Sequence, residues 1–175
     1  MATEAKAPAD WSREVRAGFE ALVRSGGEVP GAGLSARIAE AQSLACHFED
    51  RQLVAVAALK NPRLTYREKL CDRSGFDLSK EKYAYEVGWV YVAENHRGSR
   101  LSRLVVEACL TEAGSGGVFA TTREDNEAMQ RTLKRYGFVR AGKAYESERV
   151  DVLLVLLVRE GGRATSGVGH TCGHT

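Results

Sequence analysis

The stretch that decides the fold is Tyr85–Ala108, Y-E-V-G-W-V-Y-V-A-E-N-H-R-G-S-R-L-S-R-L-V-V-E-A. Its first part, Tyr85–Ala93, is nearly continuous in apolar and aromatic residues and therefore predicts a strand buried on both faces. Gly88 interrupts this part, which favours a β-bulge or a close approach of another group to the backbone. A polar turn then leads directly into Ser99–Ala113, where apolar residues recur at helical spacing.

The turn between the predicted strand and helix is suited to binding an anion. The first N–H groups of a helix have no partner within it, and the aligned peptide dipoles place partial positive charge there. The residues at this point are Arg97, Gly98, Ser99, Arg100, Leu101, Ser102 and Arg103. The arginines add full charges, the glycine permits close approach, and the serines offer hydroxyl donors. A phosphate site is predicted, with a solvated helix start as the alternative; the P-loop pattern G-x-x-x-x-G-K-[ST] is absent.

The composition limits the class of protein. The 175 residues fit one domain, which can bury a core without disulfides or a structural metal. A hydrophobic fraction of 43% and a charged fraction of 27% are ordinary for a soluble globular protein. With 25 basic and 23 acidic side chains, the net charge of +2 provides no broad positive field, so a nucleic-acid partner is not expected.

The sequence also indicates a cellular compartment. Residues 1–10 lack the basic and apolar regions of a signal peptide, and no apolar run reaches the roughly 18 residues of a membrane span. The cysteines Cys46, Cys71, Cys109 and Cys172 form no C-x-x-C pair. We therefore expect a cytoplasmic protein without a membrane partner, whose thiols are reduced and mostly buried.

The spacing of apolar residues predicts the remaining elements. They are helices around Val15–Leu22 and Leu34–Ala41, a hairpin of Ser43–Phe48 and Leu53–Leu59, a short helix around Thr65–Cys71, a strand at Gly117–Thr121, a helix over Met129–Tyr136, and extended segments at Phe138–Ala141 and Val152–Val158. This order favours an α/β (α+β) fold, with a mixed sheet, helices on its faces and at least one parallel crossover. Val152–Val158 is either an interior strand or part of a dimer sheet, which leaves a homodimer open.

One domain is expected to span residues 1–160, followed by a tail at 161–175. The tail is rich in Gly, Ser and Thr and cannot bury enough surface to offset its ordering entropy, so we predict that it is flexible. Its ending, H-T-C-G-H-T, offers His170, Cys172 and His174 as weak candidates for metal ligands. Because a closed zinc site usually needs four well-placed ligands, we expect no metal.

Two motifs give the sequence a resemblance to a known family. R-G-S-R-L-S, Arg97–Ser102, resembles the pyrophosphate loop Q/R-x-x-G-x-G/A of the GNAT acetyltransferase superfamily. N-E-A-M-Q-R-T-L-K-R-Y-G-F, Asn126–Phe138, is similar to the family's segment N-x-x-A-x-x-L-Y-x-x-x-G-F. The resemblance covers residues 34–158. It implies the GNAT acyl-CoA N-acyltransferase fold, with a mixed but mostly antiparallel sheet, and acetyl-CoA as co-substrate.

Departures from the family pattern in the loop and at the tyrosine position bear on the site. Arg100 stands where the first motif glycine is usual, and Ser102 replaces the second small residue. Leu133 stands where many members have a tyrosine. The resemblance assigns Asn126 to holding the pantetheine arm or acetyl-CoA. A helix N-cap accounts for Asn126 equally well, with Asp125 as a competitor for that role.

Glu86 is the candidate general base. An amine must be neutral to attack a thioester, yet a lysine-like amine has a pKa of about 10.4 and is charged at pH 7. Glu86 stands eleven residues before Arg97, a separation that resembles that of the catalytic glutamate in histone-type family members. Its apolar and aromatic neighbours would partly desolvate the carboxylate, which favours a base. The alternative is that Glu86 holds a substrate amine or pairs with an arginine.

The resemblance also suggests groups for the other steps. Backbone N–H groups of Val90, Tyr91 and Val92 would stabilise the oxyanion that forms from the thioester. Tyr136, one helical turn after Leu133, is the candidate to protonate the departing thiolate, with a place in the core as the alternative. Since a thiol has a pKa of about 8.5, the thiolate also leaves without full protonation.

The acceptor is expected to be a small-molecule or peptide amine that attacks acetyl-CoA directly, without a covalent enzyme intermediate. Trp89, Tyr145 and the irregular segment Asn61–Tyr83 are the candidate acceptor contacts, although the segment could be a mere connection. A non-catalytic acyl-CoA-binding or regulatory domain is the competing hypothesis, supported by Arg100 and Leu133. A toxin-like enzyme acting on charged RNA is a third, which the near-neutral composition disfavours.

Overall fold

The computed structural model describes residues 1–148 and 150–162, which are built around a seven-stranded sheet. The strands are β1 (Ala2–Lys6), β2 (Ser43–Glu49), β3 (Gln52–Lys60), β4 (Tyr83–Val92), β5 (Gly117–Arg123), β6 (Val139–Glu146) and β7 (Leu153–Arg159). Their order across the sheet is β1-β2-β3-β4-β5-β7-β6. β4 and β5 are parallel, and every other neighbouring pair of these strands is antiparallel. The predicted mixed, mostly antiparallel sheet is confirmed.

Helices cover both faces of this sheet. They are α1 (Arg13–Ser25), α2 (Leu34–Ala39), α3 (Leu64–Ser74), α4 (Leu101–Ala113) and α5 (Glu127–Arg135), with 3-10 turns at Pro8–Asp10 and Glu94–His96. α1 and α2 pack over Cys46 and Val56, whereas α4 packs over their strand neighbours Ala45 and Ala57, which point to the opposite face. α3 shares the face of α1, and α4 is the crossover between the two parallel strands. None of the helices in the described residues combines the length and apolar character needed to cross a bilayer.

The structure adds one strand and settles the place of another. β1 is not predicted, because A-T-E-A-K has no apolar run; its residues are exposed or half-buried, and it pairs with β2 at an edge of the sheet. The segment predicted at Val152–Val158 is β7, which lies between β5 and β6. Its interpretation as an exposed strand for a dimer sheet is therefore wrong, since β6 occupies that edge.

β4 differs from the expected strand in its second half. Glu86 and Val87 are buried, but every residue from Gly88 to Val92 is only half-buried. The pairing of β4 with β5 ends at Glu86 opposite Phe119, whereas the pairing with β3 continues to Val92. The prediction of burial on both faces is thus wrong for this half, because the pairing of the two parallel strands stops at Glu86. We call the unpaired gap beyond Glu86 the cleft.

A β-bulge lies where β4 leaves β5. One residue of β3, Ala57, faces two residues of β4, Trp89 and Val90. Trp89 has a φ of +51°, in the left-handed region, where a side chain costs roughly 1–2 kcal/mol. The bulge begins one residue after Gly88, which is itself paired regularly with β3. Beyond this bulge β4 stays paired with β3 but no longer pairs with β5.

Candidate active site

The loop Arg97–Ser102, called the phosphate loop below, joins the diverging end of β4 to the start of α4. Gly98 has a φ of +84°, and Arg100, the N-cap residue of α4, has a φ of +65°. No described side chain makes a capping hydrogen bond at this helix start. Leu101 is buried and fixes the first turn in the core. The first N–H groups of α4 therefore have no side-chain acceptor among the described residues, and a phosphate site at them stays a prediction.

Arg100, which stands where the first motif glycine is usual, has a left-handed backbone conformation. A φ of +65° lies where glycine is unstrained and other residues pay roughly 1–2 kcal/mol. The arginine thus adds a positive charge at the point of strain. It occupies a left-handed conformation at the motif position where glycine is usual.

The other polar side chains of the phosphate loop are engaged weakly. The Arg97 guanidinium lies over the Tyr91 ring, 5.6 Å from Cζ to the ring centroid, and its Nη2 is 3.5 Å from the Tyr91 hydroxyl. The Arg97 side chain is 58% exposed. Ser99 donates a hydrogen bond to the carbonyl of His96, and Ser102 is half-buried in the first turn of α4. Such contacts leave Arg97 free to turn toward a phosphate.

Beyond Glu86, the edge of β4 that would face β5 is open. Val90, Tyr91 and Val92 lie on this stretch, after the pairing with β5 has ended. They are half-buried and pack against the cores on both faces of the sheet. The N–H of Ala93 donates to the carbonyl of Val54 on β3, so by the alternation along a strand the N–H of Tyr91 also points to β3. The N–H groups of Val90 and Val92 point to the open side.

Glu86 is the centre of a buried polar group on the face covered by α1 and α3. Its side chain is 2% exposed. Its Oε1 accepts hydrogen bonds from the hydroxyls of Tyr66, at 3.2 Å, and Thr121, at 3.3 Å. Its Oε2 forms an ion pair with Lys60 Nζ at 2.8 Å. The sequence leaves open a pairing with an arginine; the partner is a lysine instead, because Lys60 stands opposite Glu86 in the β-ladder.

Aromatic side chains surround the Lys60 ammonium. Nζ lies 5.2 Å from the centroid of the Trp89 ring and 5.7 Å from that of Tyr66. The methylene stem of Lys60 runs over Gly88, where a Cβ would lie 3.1 Å from Nζ. Gly88 therefore makes the close approach that the sequence suggests, and the approaching group is a lysine. A carboxylate and aromatic faces are the usual partners of an ammonium group.

Tyr145, predicted as an acceptor contact, is buried on β6 and has no hydrogen-bond partner for its hydroxyl among the described residues. Burial, and after it the charge of Glu86, raises the pKa of Tyr145. Burial and the charge of Glu86 likewise raise the pKa of Tyr66 well above its usual value. We call the set of Lys60, Tyr66, Glu86, Trp89, Thr121 and Tyr145 the Glu86 cluster.

Arg67 fixes the backbone that leads into β4. Its Nη1 donates to the carbonyls of Leu78, at 3.1 Å, and Tyr83, at 2.7 Å, and its Nη2 donates to that of Ala84, at 2.6 Å. The side chain is buried. These bonds hold the strand just before Glu86, so Arg67 positions the cluster without belonging to it. The sequence gives no signal for this role beyond its place in the segment Asn61–Tyr83.

The start of α5 is capped by Asn126. Its Oδ1 accepts a hydrogen bond from the N–H of Met129 at 3.1 Å. Asp125, the competitor for this role, pairs with Arg123 instead. The capping role is confirmed; contact of Asn126 with a cofactor stays a prediction.

Tyr136 ends α5 and points toward α4. Its hydroxyl donates to the carbonyl of Arg103 at 3.1 Å and lies 3.4 Å from Glu107 Oε2. Burial, followed by the charge of Glu107, raises the pKa of Tyr136. Leu133, one turn earlier, is buried in the core. The structure therefore does not bring Tyr136 into the Glu86 cluster.

The thiols and metal-ligating groups lie apart from this site. Cys46 and Cys109 are buried and free, and burial raises the pKa of Cys46 to about 12 and that of Cys109 further. Such thiols are poor nucleophiles. Within residues 1–148 and 150–162, no group of three or more His, Cys, Asp or Glu side chains is arranged to hold a metal ion. His170, Cys172 and His174 lie outside the described residues.

Residues 20–138 match the model of the Acetyltransferase (GNAT) family. This match extends over more than half of the chain, and the protein belongs to that family. It includes the strand, the phosphate loop and the Asn126–Phe138 motif on which the resemblance rests. Comparison with curated proteins found no match.

Solved structures of other proteins share the fold. An acyl-CoA N-acyltransferase from Pseudomonas aeruginosa is 18% identical, over 91% of this chain and 99% of its own, with a TM-score of 0.66. A putative acetyltransferase from Salmonella typhimurium, determined with its cofactor acetyl-CoA, is 18% identical over 91% and 93%, with a TM-score of 0.63. The ribosomal-protein-S18-alanine N-acetyltransferase from Escherichia coli is 11% identical over 95% and 99%, with a TM-score of 0.66.

Proposed function

We propose that the protein is an N-acetyltransferase that transfers the acetyl group of acetyl-CoA to a primary amine by direct attack. The observation that carries this proposal is the arrangement along β4. Glu86 lies where the strand leaves β5, the bulge at Trp89 follows it, and the phosphate loop lies at the end of the cleft so formed. Family membership supports acetyl-CoA as the donor, and acetyl-CoA supplies an activated acyl group as a thioester.

The residues around the cleft fit an elongated ligand with a diphosphate at one end. Arg97, Gly98, Ser99, Arg100, Leu101 and Ser102 would hold the diphosphate through helix N–H groups, hydroxyls and charge. N–H groups of the open β4 edge at Val90–Val92 would stabilise negative charge on the carbonyl oxygen. Asn126, at the start of α5, is proposed as a contact of the pantetheine arm.

At the end of the cleft opposite the phosphate loop, Glu86 would take a proton from the acceptor ammonium. Its carboxylate already carries an ammonium partner, Lys60, so the site has the chemistry to recognise a second amine. Tyr66 and Thr121 hold the carboxylate in place while the acceptor ammonium replaces Lys60 as its partner. Trp89 and Tyr145 would contact the acceptor around its nitrogen.

The chain gives less support for a group that protonates the departing thiolate. Tyr136 is the proposed acid, but its hydroxyl is engaged with the carbonyl of Arg103. Its proton would be available only after that bond is broken. A thiol pKa of about 8.5 makes release without an acid adequate at neutral pH.

A second candidate function is a non-catalytic acyl-CoA-binding or regulatory domain. It is favoured by the ion pair between Lys60 and Glu86, which neutralises the proposed base, and by Leu133 at the position where many members carry a tyrosine. The proposal keeps a small-molecule or peptide amine as acceptor and the cytoplasm as location. A homodimer stays a prediction.

One experiment separates the two functions. Calorimetry measures the binding of acetyl-CoA, and a thiol reagent measures CoA release over a panel of polyamines, amino acids, lysine peptides and peptides with an N-terminal alanine. Turnover on any member supports the acetyltransferase. Binding without turnover on the whole panel favours the regulatory domain, and failure to bind acetyl-CoA contradicts both.

A further inference from the structure

Lys60 places a primary amine of the chain itself against the proposed base. Its Nζ lies 2.8 Å from Glu86 Oε2, and its side chain is only 19% exposed. The lysines Lys69 and Lys82, by contrast, pair with surface glutamates and are 63% and 55% exposed. Lys60 therefore holds its ammonium where an acceptor amine is required to be.

The ammonium also lies at the cleft. The stem of Lys60 follows β4 over Gly88, and Nζ is 5.2 Å from the centre of the Trp89 ring. Trp89 opens the bulge at which β4 leaves β5. The next residue along the strand, Val90, begins the open edge assigned above to the carbonyl oxygen. The nitrogen thus lies over Gly88, two residues before the stretch that would hold the reacting group.

We propose that Lys60 is itself an acetyl acceptor, so that the protein acetylates its own Lys60 Nζ with acetyl-CoA. This inference rests on the proposed function. Glu86 takes one proton from the ammonium, and Nζ then forms a bond to the thioester carbonyl carbon. The C–S bond breaks, and CoA leaves as a thiol with the second proton that the nitrogen gives up. The products are Nζ-acetyl-Lys60 and CoA, and Glu86 returns its proton to water.

Acetylation would change the Glu86 cluster in a defined way. It removes the positive charge of Lys60 and leaves Glu86 with the hydroxyls of Tyr66 and Thr121 as its hydrogen-bond donors. A buried carboxylate without a counter-charge attracts another cation strongly. The modified protein is therefore prepared to bind the ammonium group of an external acceptor.

The test uses the full-length protein with acetyl-CoA and no added amine. Intact-mass spectrometry before and after incubation, followed by peptide mapping, locates each acetyl group. We expect one acetyl group per chain, on Lys60, acquired at a rate independent of protein concentration or already present after purification. Lys60→Arg removes this group, whereas Lys69→Arg, a matched change at an exposed lysine, retains it. Glu86→Gln slows the modification at least about tenfold.

A further variant tests the position of the Lys60 methylene chain over Gly88. Gly88→Ala places a methyl group against the Lys60 side chain and is expected to slow its acetylation, with circular dichroism as the check that the fold is retained. Acetyl groups spread over exposed lysines without preference for Lys60, or a Lys60 rate unchanged by Glu86→Gln, would overturn the inference. CoA release on an external amine with Lys60 unmodified overturns it and leaves the proposed function standing. Failure to bind acetyl-CoA overturns both.

Discussion

The phosphate loop follows β4 and the Glu86 cluster is centred on a residue of β4, but the two satisfy their charges in opposite ways. In the loop, Arg97 and Arg100 are exposed, and no described side chain caps the helix start. In the cluster, Glu86 is buried and both of its oxygens have partners. An exposed cationic loop takes up an anion with little rearrangement, whereas a buried, neutralised carboxylate must exchange its ammonium partner first. Cofactor binding and acetyl transfer should therefore respond to different substitutions.

The largest expected effect comes from Glu86→Gln, which removes the proposed base from the cluster. We expect kcat on an accepted amine to fall by about 100- to 10,000-fold, the range typical of general-base catalysis. The affinity for acetyl-CoA should change little, because the phosphate loop is untouched. Steady-state kinetics and calorimetry measure the two quantities, with Glu81→Gln at an exposed position as control. A kcat within a factor of two of the unmodified protein would remove Glu86 from the chemistry.

For Arg97→Glu in the phosphate loop we expect the affinity for acetyl-CoA to fall and kcat to change little. A charge-assisted hydrogen bond is worth about 1.5–3 kcal/mol, so reversal of this charge should weaken acetyl-CoA binding by about tenfold or more. Arg13→Glu, at the exposed start of α1, is the control of equal charge change. Titration calorimetry gives the affinities. An Arg97 variant that binds as tightly as the Arg13 variant would show that the diphosphate lies elsewhere.

Two substitutions of Arg100 separate the effect of backbone strain from the effect of charge in the phosphate loop. Arg100→Gly relieves the backbone at a φ of +65°, whereas Arg100→Ala removes the same charge and keeps the strain. The glycine variant should therefore unfold with a free energy about 1 kcal/mol higher than the alanine variant. Urea denaturation measures this difference. Equal stabilities of the two variants would contradict the left-handed conformation.

The smallest effect is expected for Tyr145→Phe in the Glu86 cluster. The hydroxyl has no described partner, so its removal should be neutral or stabilise the fold by up to about 1 kcal/mol. Burial raises the pKa of Tyr145 above its usual 10.0, so the hydroxyl ionises first in the unfolded state, and the free energy of unfolding falls as the pH rises above about 10. The variant should therefore lose less stability between pH 9 and pH 11, as thermal melts at several pH values would show. A large destabilisation would instead reveal a partner for the hydroxyl.

Local sequence patterns explain which parts of the fold could be predicted. Apolar spacing identifies α1, α4 and the strands of the core, since these elements bury one face or both. β1 escapes this reasoning because an exposed edge strand is held by backbone pairing, for which A-T-E-A-K carries no side-chain signal. The half-burial of β4 escapes it too, because Gly88 indicates a bulge or a close approach but gives no sign that the pairing with β5 ends at this point.

The same distinction applies to the site. The phosphate loop is contiguous in sequence, so its charges and helix start can be recognised as one motif. The Glu86 cluster is assembled from four strands and α3, and its key partner, Lys60, is found only through the register of β3 against β4. Tyr66 and Thr121 carry no pattern that links them to Glu86. Tyr136 shows another limit of spacing, which suggests a catalytic acid but does not reveal that the hydroxyl donates to the carbonyl of Arg103.

The most direct test of the central claim is a crystal structure of the protein with CoA bound. We predict the diphosphate at the N–H groups of the phosphate loop and the pantetheine arm between β4 and β5, with its sulfur beside the open edge at Val90–Val92. The Glu86 carboxylate should face the same end of the cleft. CoA bound elsewhere, or β4 and β5 closed against each other along their length, would contradict the account.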